Sequence, residues 1–366
     1  MRAIPLAALA CLLSFSLTVS PSPACTSFCL DTPEGPIFGV NLDLLFPADG
    51  LVFMNRRGIA KGGFRPGTTG ATLEWVSQYG SVTFSLAGAE FAWGGMNEAG
   101  LVVSMLELKA GGNPEPDERP ALSLGTWAQY VLDNCGTVEE VIELDEKVRI
   151  QDTVPPAHFL IADAAGECAA LEWFDGRLAY RTGEDLPVKA MSNMPYDRAL
   201  AAYERGGPRF WWSNPGRSAE RFAGAAERNE NFDPKLDTDA VSYAFGTLVD
   251  VVAVGWTQWS VVYDIAKREV WYGSARSRPA KHIALDDFDL ACDSPFLMLD
   301  VNAPVAGNVA QHFAPYDHDA NLALFRTLCE GYEIEVSDEG ADGLMQLIES
   351  FECAEDVSSR LGLIDR

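Results

Sequence analysis

The stretch Ser22-Pro23-Ala24-Cys25-Thr26-Ser27-Phe28-Cys29-Leu30-Asp31, followed after a turn by Ile37-Phe38-Gly39-Val40-Asn41-Leu42-Asp43, decides how this chain reads. Upstream of it, Arg2 makes a basic start and Ile4 to Val19 an apolar core. Ser22 and Ala24 are small at the two positions a signal peptidase inspects. Residues 1–24 therefore read as a signal peptide, and a cut after Ala24 makes Cys25 the first residue of the mature chain. A cysteine with a free α-amine carries a nucleophile and a base in one residue. The reference pKa values are about 8.5 for the thiol and about 7.7–8.0 for the amine, so near neutrality the amine can take the thiol proton. Position alone leaves other readings open. Cys25 could be a disulfide cysteine of an exported protein, a lipid-modified cysteine (which Ser22 and Pro23 suit poorly), or an internal residue after cleavage elsewhere, for instance behind Ser20.

Working outward, Thr26–Asp31 and Ile37–Leu44 read as two strands joined by the turn Pro33-Glu34-Gly35-Pro36, which brings Cys25 and Asp43 together across a hairpin. Further strands are expected at Leu51–Asn55, Leu73–Trp75, Val82–Ala87, Ala92–Gly95 and Leu101–Leu108. Helical spacing follows at Leu122–Leu132 and Val138–Val148, the second opening on a Thr137-Val138-Glu139-Glu140 capping box. Strands resume at His158–Asp163, Ala169–Phe174 and Leu178–Arg181. Helices are expected at Tyr196–Tyr203, Ala219–Arg228 and Asp239–Leu248, then a hairpin at Thr257–Tyr263 and Glu269–Tyr272. From about Asp286 to the end the pattern predicts a long loop and two helices, Asn321–Glu330 and Ala341–Phe351. Blocks of strands with helices between and after them imply helices stacked on sheets, an α+β chain for which a layered sandwich fits. Residues 25–366 read as one domain with a C-terminal helical tail over about 286–366.

The composition excludes several partners. A formal charge of -26 on 366 residues disfavours nucleic acid and anionic membrane surfaces. After the leader, no apolar run approaches the roughly 18 residues of a membrane span, so no membrane anchor is expected and the mature protein reads as periplasmic or secreted. The cysteines after Cys25 are Cys29, Cys135, Cys168, Cys292, Cys329 and Cys353. They could form up to three bridges, with Cys329–Cys353, flanking the tail hairpin, the first pairing to expect. No CxxC, zinc spacing, P-loop or dinucleotide-binding glycine motif is present, so neither metal nor cofactor is expected. His158, His282, His312 and His318 lack the motif of a Cys–His pair and read as packing or surface residues. Trp75, Phe84, Phe91 and Trp93 read first as core, with an acyl pocket as the alternative.

Six segments resemble one family. The start Cys25-Thr26-Ser27-Phe28 and the run Phe38-Gly39-Val40-Asn41-Leu42-Asp43 resemble the choloylglycine hydrolase family, which holds bile salt hydrolases, penicillin V acylases and related linear amide hydrolases. Gly95-Met96-Asn97-Glu98-Ala99-Gly100-Leu101 is similar to its GMNE-GL turn, and Ser192-Asn193-Met194-Pro195-Tyr196-Asp197 to its TN-P-(F/Y)D segment. Ser218-Ala219-Glu220-Arg221-Phe222 resembles its Ser-x-x-Arg-Phe helix start, and Thr257-Gln258-Trp259-Ser260 its late strand. The six occur in family order over roughly 25–275.

The resemblance implies a four-layer αββα sandwich of the N-terminal nucleophile hydrolase type and hydrolysis of a small-molecule N-acyl amide. It places Cys25 as nucleophile, Asp43 as the carboxylate that holds its α-amine, Asn193 as an oxyanion donor and Arg221 as the active-site arginine. From pattern alone Asp43 reads first as a turn or strand-end carboxylate and Arg221 as a solvated first-turn arginine beside Glu220, while Asn193 reads equally as a cap of the following helix. Two positions depart from the family. Val40 stands where an arginine is usual, so the thiol depends on its own amine or on a cation from elsewhere, such as Arg221. Glu107 stands where bile salt hydrolases commonly carry an oxyanion-hole asparagine, and an ionised carboxylate cannot donate, which shifts that role to backbone N–H groups near Asn97 or Glu107. The substrates implied are N-acyl amino acids, penicillin V-like amides, N-acyl homoserine lactones or conjugated bile salts. A binding protein with eroded chemistry and an acyltransferase are the alternatives, and a homo-oligomer is left open.

Overall fold

The computed structural model describes residues 25–63, 73–151, 156–206 and 218–354; the expected leader lies outside them. Two antiparallel-rich sheets form the centre. A seven-stranded sheet runs in the order Ala190–Ser192, Thr26–Leu30, Ile37–Asp43, Thr257–Asp264, Glu269–Ser274, Lys281–Ala284, Gly307–Asn308. A nine-stranded sheet runs Arg177–Thr182, Cys168–Phe174, Ala157–Ala162, Val102–Glu107, Gly94–Asn97, Ser81–Ser85, Leu51–Asn55, Leu297–Asp300, Ala314–Pro315.

Strand alternation sorts the nine-stranded sheet into two faces. Val52, Met54, Leu106 and Leu160 turn inward and share one apolar cluster with Phe38, Val261 and Tyr263 of the other sheet. Phe84 meets Tyr263 and Tyr272 edge-on across the gap. The intervening residues face outward. Val103, Met105, Phe159 and Ile161 pack under helices α1 (Leu124–Asn134) and α2 (Val138–Leu144). On the seven-stranded sheet lie α3 (Tyr196–Glu204), α4 (Ser218–Glu230) and α5 (Ala240–Asp250). Helices α6 (His318–Gly331) and α7 (Asp338–Glu349) pack Leu324, Leu344, Met345 and Ile348 against Leu51 and Phe53 of the nine-stranded sheet. The layers are helix, sheet, sheet, helix, as expected.

The first hairpin forms as the turn residues predict. Gly35 sits at φ +126°, and a Cβ there would lie 2.6 Å from that of Ala266, so both backbone and space require glycine. Thr26 pairs with Asn41 and Leu30 with Ile37, which sets Cys25 beside the end of the strand that carries Asp43. The Thr137–Glu140 capping box is present with both reciprocal bonds.

The tail differs from expectation in two ways. The stretch after Asp286 is not only loop: Leu297–Asp300 extends the nine-stranded sheet by pairing with Leu51–Asn55, a strand too short to show a period. The disulfide joins Cys292 to Cys353, not Cys329 to Cys353. The strand pair Glu352–Cys353 with Ile59–Ala60 carries Cys353 away from the α6–α7 hairpin, and Cys329 remains a buried free thiol.

Candidate active site

Cys25, Asp43, Asn193 and Arg221 come from four different elements and meet at one end of the seven-stranded sheet. Cys25 directly precedes the strand Thr26–Leu30 and is wholly buried, its thiol donating to the Asp43 carbonyl at 3.8 Å. Asp43 ends the adjacent strand, also wholly buried. Arg221 lies in the first turn of α4, and because α4 packs on Thr26–Leu30 and Ala190–Ser192 its side chain points into the protein. At 1% exposure it is no solvated arginine. Its Nη1 donates to the Cys25 carbonyl (3.1 Å) and Thr26 Oγ1 (3.2 Å), and its Nη2 to Asn193 Oδ1 (3.1 Å) and Ser218 Oγ (3.2 Å). Nη1 also lies 3.8 Å from Asp43 Oδ2.

Asn193 follows directly on the edge strand Ala190–Ser192. It does not cap α3, whose N-cap is Pro195 with no side-chain bond. Its Oδ1 is held by Arg221 and its Nδ2 donates to the Glu107 carbonyl at 2.8 Å. One amide hydrogen is thereby committed, and the second can serve a ligand. The loop is fixed from beneath by Glu172, which accepts from the Tyr196 N–H at 3.1 Å and pairs with the buried His158 at 3.1 Å.

Burial dominates the electrostatics. It pushes the Cys25 thiol up to about 12; the Asp43 charge adds to this, while the bond to the Asp43 backbone and the Arg221 charge oppose it. In the full-length chain Cys25 is in peptide linkage to Ala24, so this thiol is neutral and has no amine base of its own. Burial likewise raises Asp43 to about 7 against the attraction of Arg221 and the hydrogen bond from Thr257. Thr257 Oγ1 satisfies Asp43 Oδ1 at 2.5 Å, whereas Oδ2 accepts no hydrogen bond among the described residues. A buried carboxylate oxygen without a donor is costly. A cation or donor placed there by a change in the chain or by a ligand would be strongly held.

A cavity of about 280 Å³ is lined among others by Phe91, Trp93, Glu107, Leu328 and Tyr332, and it is linked to this group through Glu107, whose carbonyl accepts from Asn193. Of the four aromatic residues weighed for a pocket, Phe91 and Trp93 line it. Trp75 and Phe84 belong to the core, Trp75 donating to Asp133 at 2.8 Å. Asn97 is a turn residue: its N–H bonds the Leu101 carbonyl and its side chain the Leu132 and Cys135 carbonyls, so it supplies no donor to the site. Val40 is buried in the apolar cluster, and Arg221 is the cation near the thiol. Sequence reasoning missed Thr257 as the partner of Asp43, although the segment containing it was visible, and missed Tyr332 altogether.

Residues 25–205 match the family of linear amide C–N hydrolases known as the choloylglycine hydrolase family. A penicillin V acylase of Pectobacterium atrosepticum is 27% identical, covering 73% of this chain and 82% of that protein. Among solved structures, the penicillin V acylase of Agrobacterium tumefaciens superposes with a TM-score of 0.67 at 25% identity, over 80% of this chain and 98% of that one. A variant of the conjugated bile acid hydrolase of Clostridium perfringens shares the fold, with a TM-score of 0.62 at 18% identity over 77% of this chain and 98% of that one.

Proposed function

The chain belongs to the choloylglycine hydrolase family and is a hydrolase of carbon–nitrogen bonds in linear amides, and on that premise we propose that it is an exported enzyme activated when cleavage behind Ala24 frees the amine of Cys25. The observation that carries this reading is the buried Asp43 Oδ2, on the residue whose carbonyl the Cys25 thiol meets, which has no hydrogen-bond donor among the described residues. The α-amino group released by cleavage supplies that donor through its N–H. Arg221 holds the Cys25 carbonyl and so aims the terminal residue. The new amine also provides the base that the buried thiol lacks.

In the reaction the Cys25 thiol gives its proton to the α-amine as its sulfur attacks the amide carbonyl. The oxyanion is met by the uncommitted Nδ2–H of Asn193. The α-ammonium then protonates the leaving amine as the C–N bond breaks, leaving a thioester on Cys25. Water, deprotonated by the same amine, hydrolyses the thioester and regenerates the thiol. Arg221 is protonated throughout and keeps Asn193 in place through Oδ1. The acyl portion of an N-acyl amide occupies the apolar cavity, and a phenoxyacyl amide such as penicillin V, which names the two relatives, is the first substrate to try. The test is Cys25→Ala in the chain beginning at residue 25. It should fold and show no turnover, while the wild type should accumulate an acyl adduct on Cys25 by intact mass. Turnover by the alanine variant at the wild-type rate would end the reading.

A further inference from the structure

We propose that Cys29 and Cys168 form a second disulfide, one that joins the two central sheets, when the folded protein meets a small-molecule disulfide such as glutathione disulfide. Strand alternation turns both residues into the space between the sheets. Ser27 meets Ser104 of the nine-stranded sheet through hydroxyl oxygens 2.7 Å apart, so Cys29, two residues further along the strand Thr26–Leu30, points the same way. Cys168 opens the strand Cys168–Phe174, two residues from Ala170, and all three of Cys29, Cys168 and Ala170 belong to the apolar cluster that the sheets share. Across that gap the two thiols are in hydrogen-bonding contact. Both are free and buried.

Lys189 clamps the ends of the two strands together. Its carbonyl accepts from the Cys29 N–H at 2.8 Å. Its ammonium donates to Asp31, two residues beyond Cys29, at 2.7 Å, and to the Gly166 carbonyl, two residues before Cys168, at 3.2 Å. Each sheet thus supplies one side of a single clamp, and a cysteine lies two residues inside it on either side. The clamp reaches the surface, where the Asp31 side chain is 66% exposed, so a small opening at the strand ends admits a reagent. Burial holds the Cys168 thiol neutral, against the pull of the Lys189 charge, and exchange begins when a thiolate forms beside that ammonium. The thiolate attacks one sulfur of the oxidant, forming a mixed disulfide and releasing the first thiol of the reagent. The second cysteine then loses its proton and attacks the protein sulfur of the mixed disulfide, releasing the other. Two protein thiols are oxidised, one reagent disulfide is reduced to two thiols, and no further electron acceptor is needed. The bridge ties the strand behind Cys25 to the strand whose Glu172 supports the Asn193 loop.

The test treats the folded chain beginning at residue 25, carrying Cys25→Ala so that the candidate nucleophile cannot react, with glutathione disulfide. Free thiols are then alkylated and the protein is digested without reduction. A peptide linking Cys29 to Cys168 is the expected product, beside the existing Cys292–Cys353 bridge, and its presence already on isolation supports the proposal equally. Closing a loop of about 140 residues should raise the thermal midpoint of the treated protein by roughly 5–10 °C over the form in which both thiols are free. Cys168→Ala and Cys29→Ala should each remove both the linked peptide and the response to oxidant, leaving Cys292–Cys353 in place. Glutathione held on Cys29 or Cys168 as a lasting mixed disulfide would overturn the proposal. So would both thiols recovered alkylated after treatment, either cysteine linked to Cys135 or Cys329, or a linked peptide with no gain in thermal midpoint. Turnover enters none of these readouts, so the outcome is independent of the amidase reading.

Discussion

Asp43→Asn should act in opposite directions in the full-length chain and in a chain beginning at Cys25. In the uncleaved chain the carboxylate is fully buried, and burial outweighs both Arg221 and Thr257, carrying its pKa from an ordinary 3.8 to about 7. The folded value lies above the unfolded one, so between about pH 4 and 7 the folded chain keeps a proton that the unfolded chain has lost. The contribution is fully present below pH 4 and is lost as the pH rises through 7. At about 1.4 kcal/mol per pKa unit the difference is on the order of 4 kcal/mol, with the attraction of Arg221 already included. Asparagine carries no such penalty and can still accept from Thr257. Asp43→Asn should therefore raise the unfolding free energy of a cleavage-blocked chain at pH 7.5 by a few kcal/mol, and leave it little changed at pH 4. In the chain beginning at Cys25 the proposed pairing of the α-amino group with the carboxylate predicts that the same substitution lowers stability and abolishes turnover. Urea unfolding of both forms at the two pH values measures this. A destabilising effect of similar size in both forms at pH 7.5 would refute the reasoning.

Other consequences are equally direct. Asn193→Ala should lower kcat by about 10²–10³ with a small change in KM, since a single oxyanion donor is worth that much; a change confined to KM would remove Asn193 from that role. Replacing both Cys292 and Cys353 by serine opens a loop with a sequence separation of 61, and should cost roughly 4 kcal/mol in urea unfolding while kcat on a small amide stays the same. Glu172→Leu removes the acceptor for the Tyr196 N–H and the partner of the buried His158. It should lower kcat more than the affinity for a substrate analogue, because the Asn193 loop loses its support.

What could be read in the sequence follows from how local each contact is. The meeting of Cys25 and Asp43 was legible because the Pro33-Glu34-Gly35-Pro36 turn and two flanking strands dictate a hairpin, and the structure pairs Thr26 with Asn41 as that demands. The layered α+β organisation was legible from blocks of strands with helices between. Arg221 was ambiguous, because a first-turn arginine beside Glu220 looks solvated until α4 is known to lie on the strand Thr26–Leu30. Thr257 lies 214 residues from Asp43, and only the assembled sheet shows that they pair. Tyr332 has no local signature: the packing of the tail helices carries it to the cavity. The cysteine pairing failed for a similar reason, since Cys353 follows a short strand toward Ile59 rather than its neighbouring helix.

The most direct measurement compares two preparations of the same chain, one beginning at Cys25 and one retaining Ala24 in uncleavable linkage. Each would be titrated with a thiol-directed probe and assayed on an N-acyl amide at pH 7.5. Rapid labelling at Cys25 and turnover in the first preparation, with neither in the second, is the predicted result. Equal labelling and turnover in both would show that the α-amine of Cys25 takes no part in the chemistry.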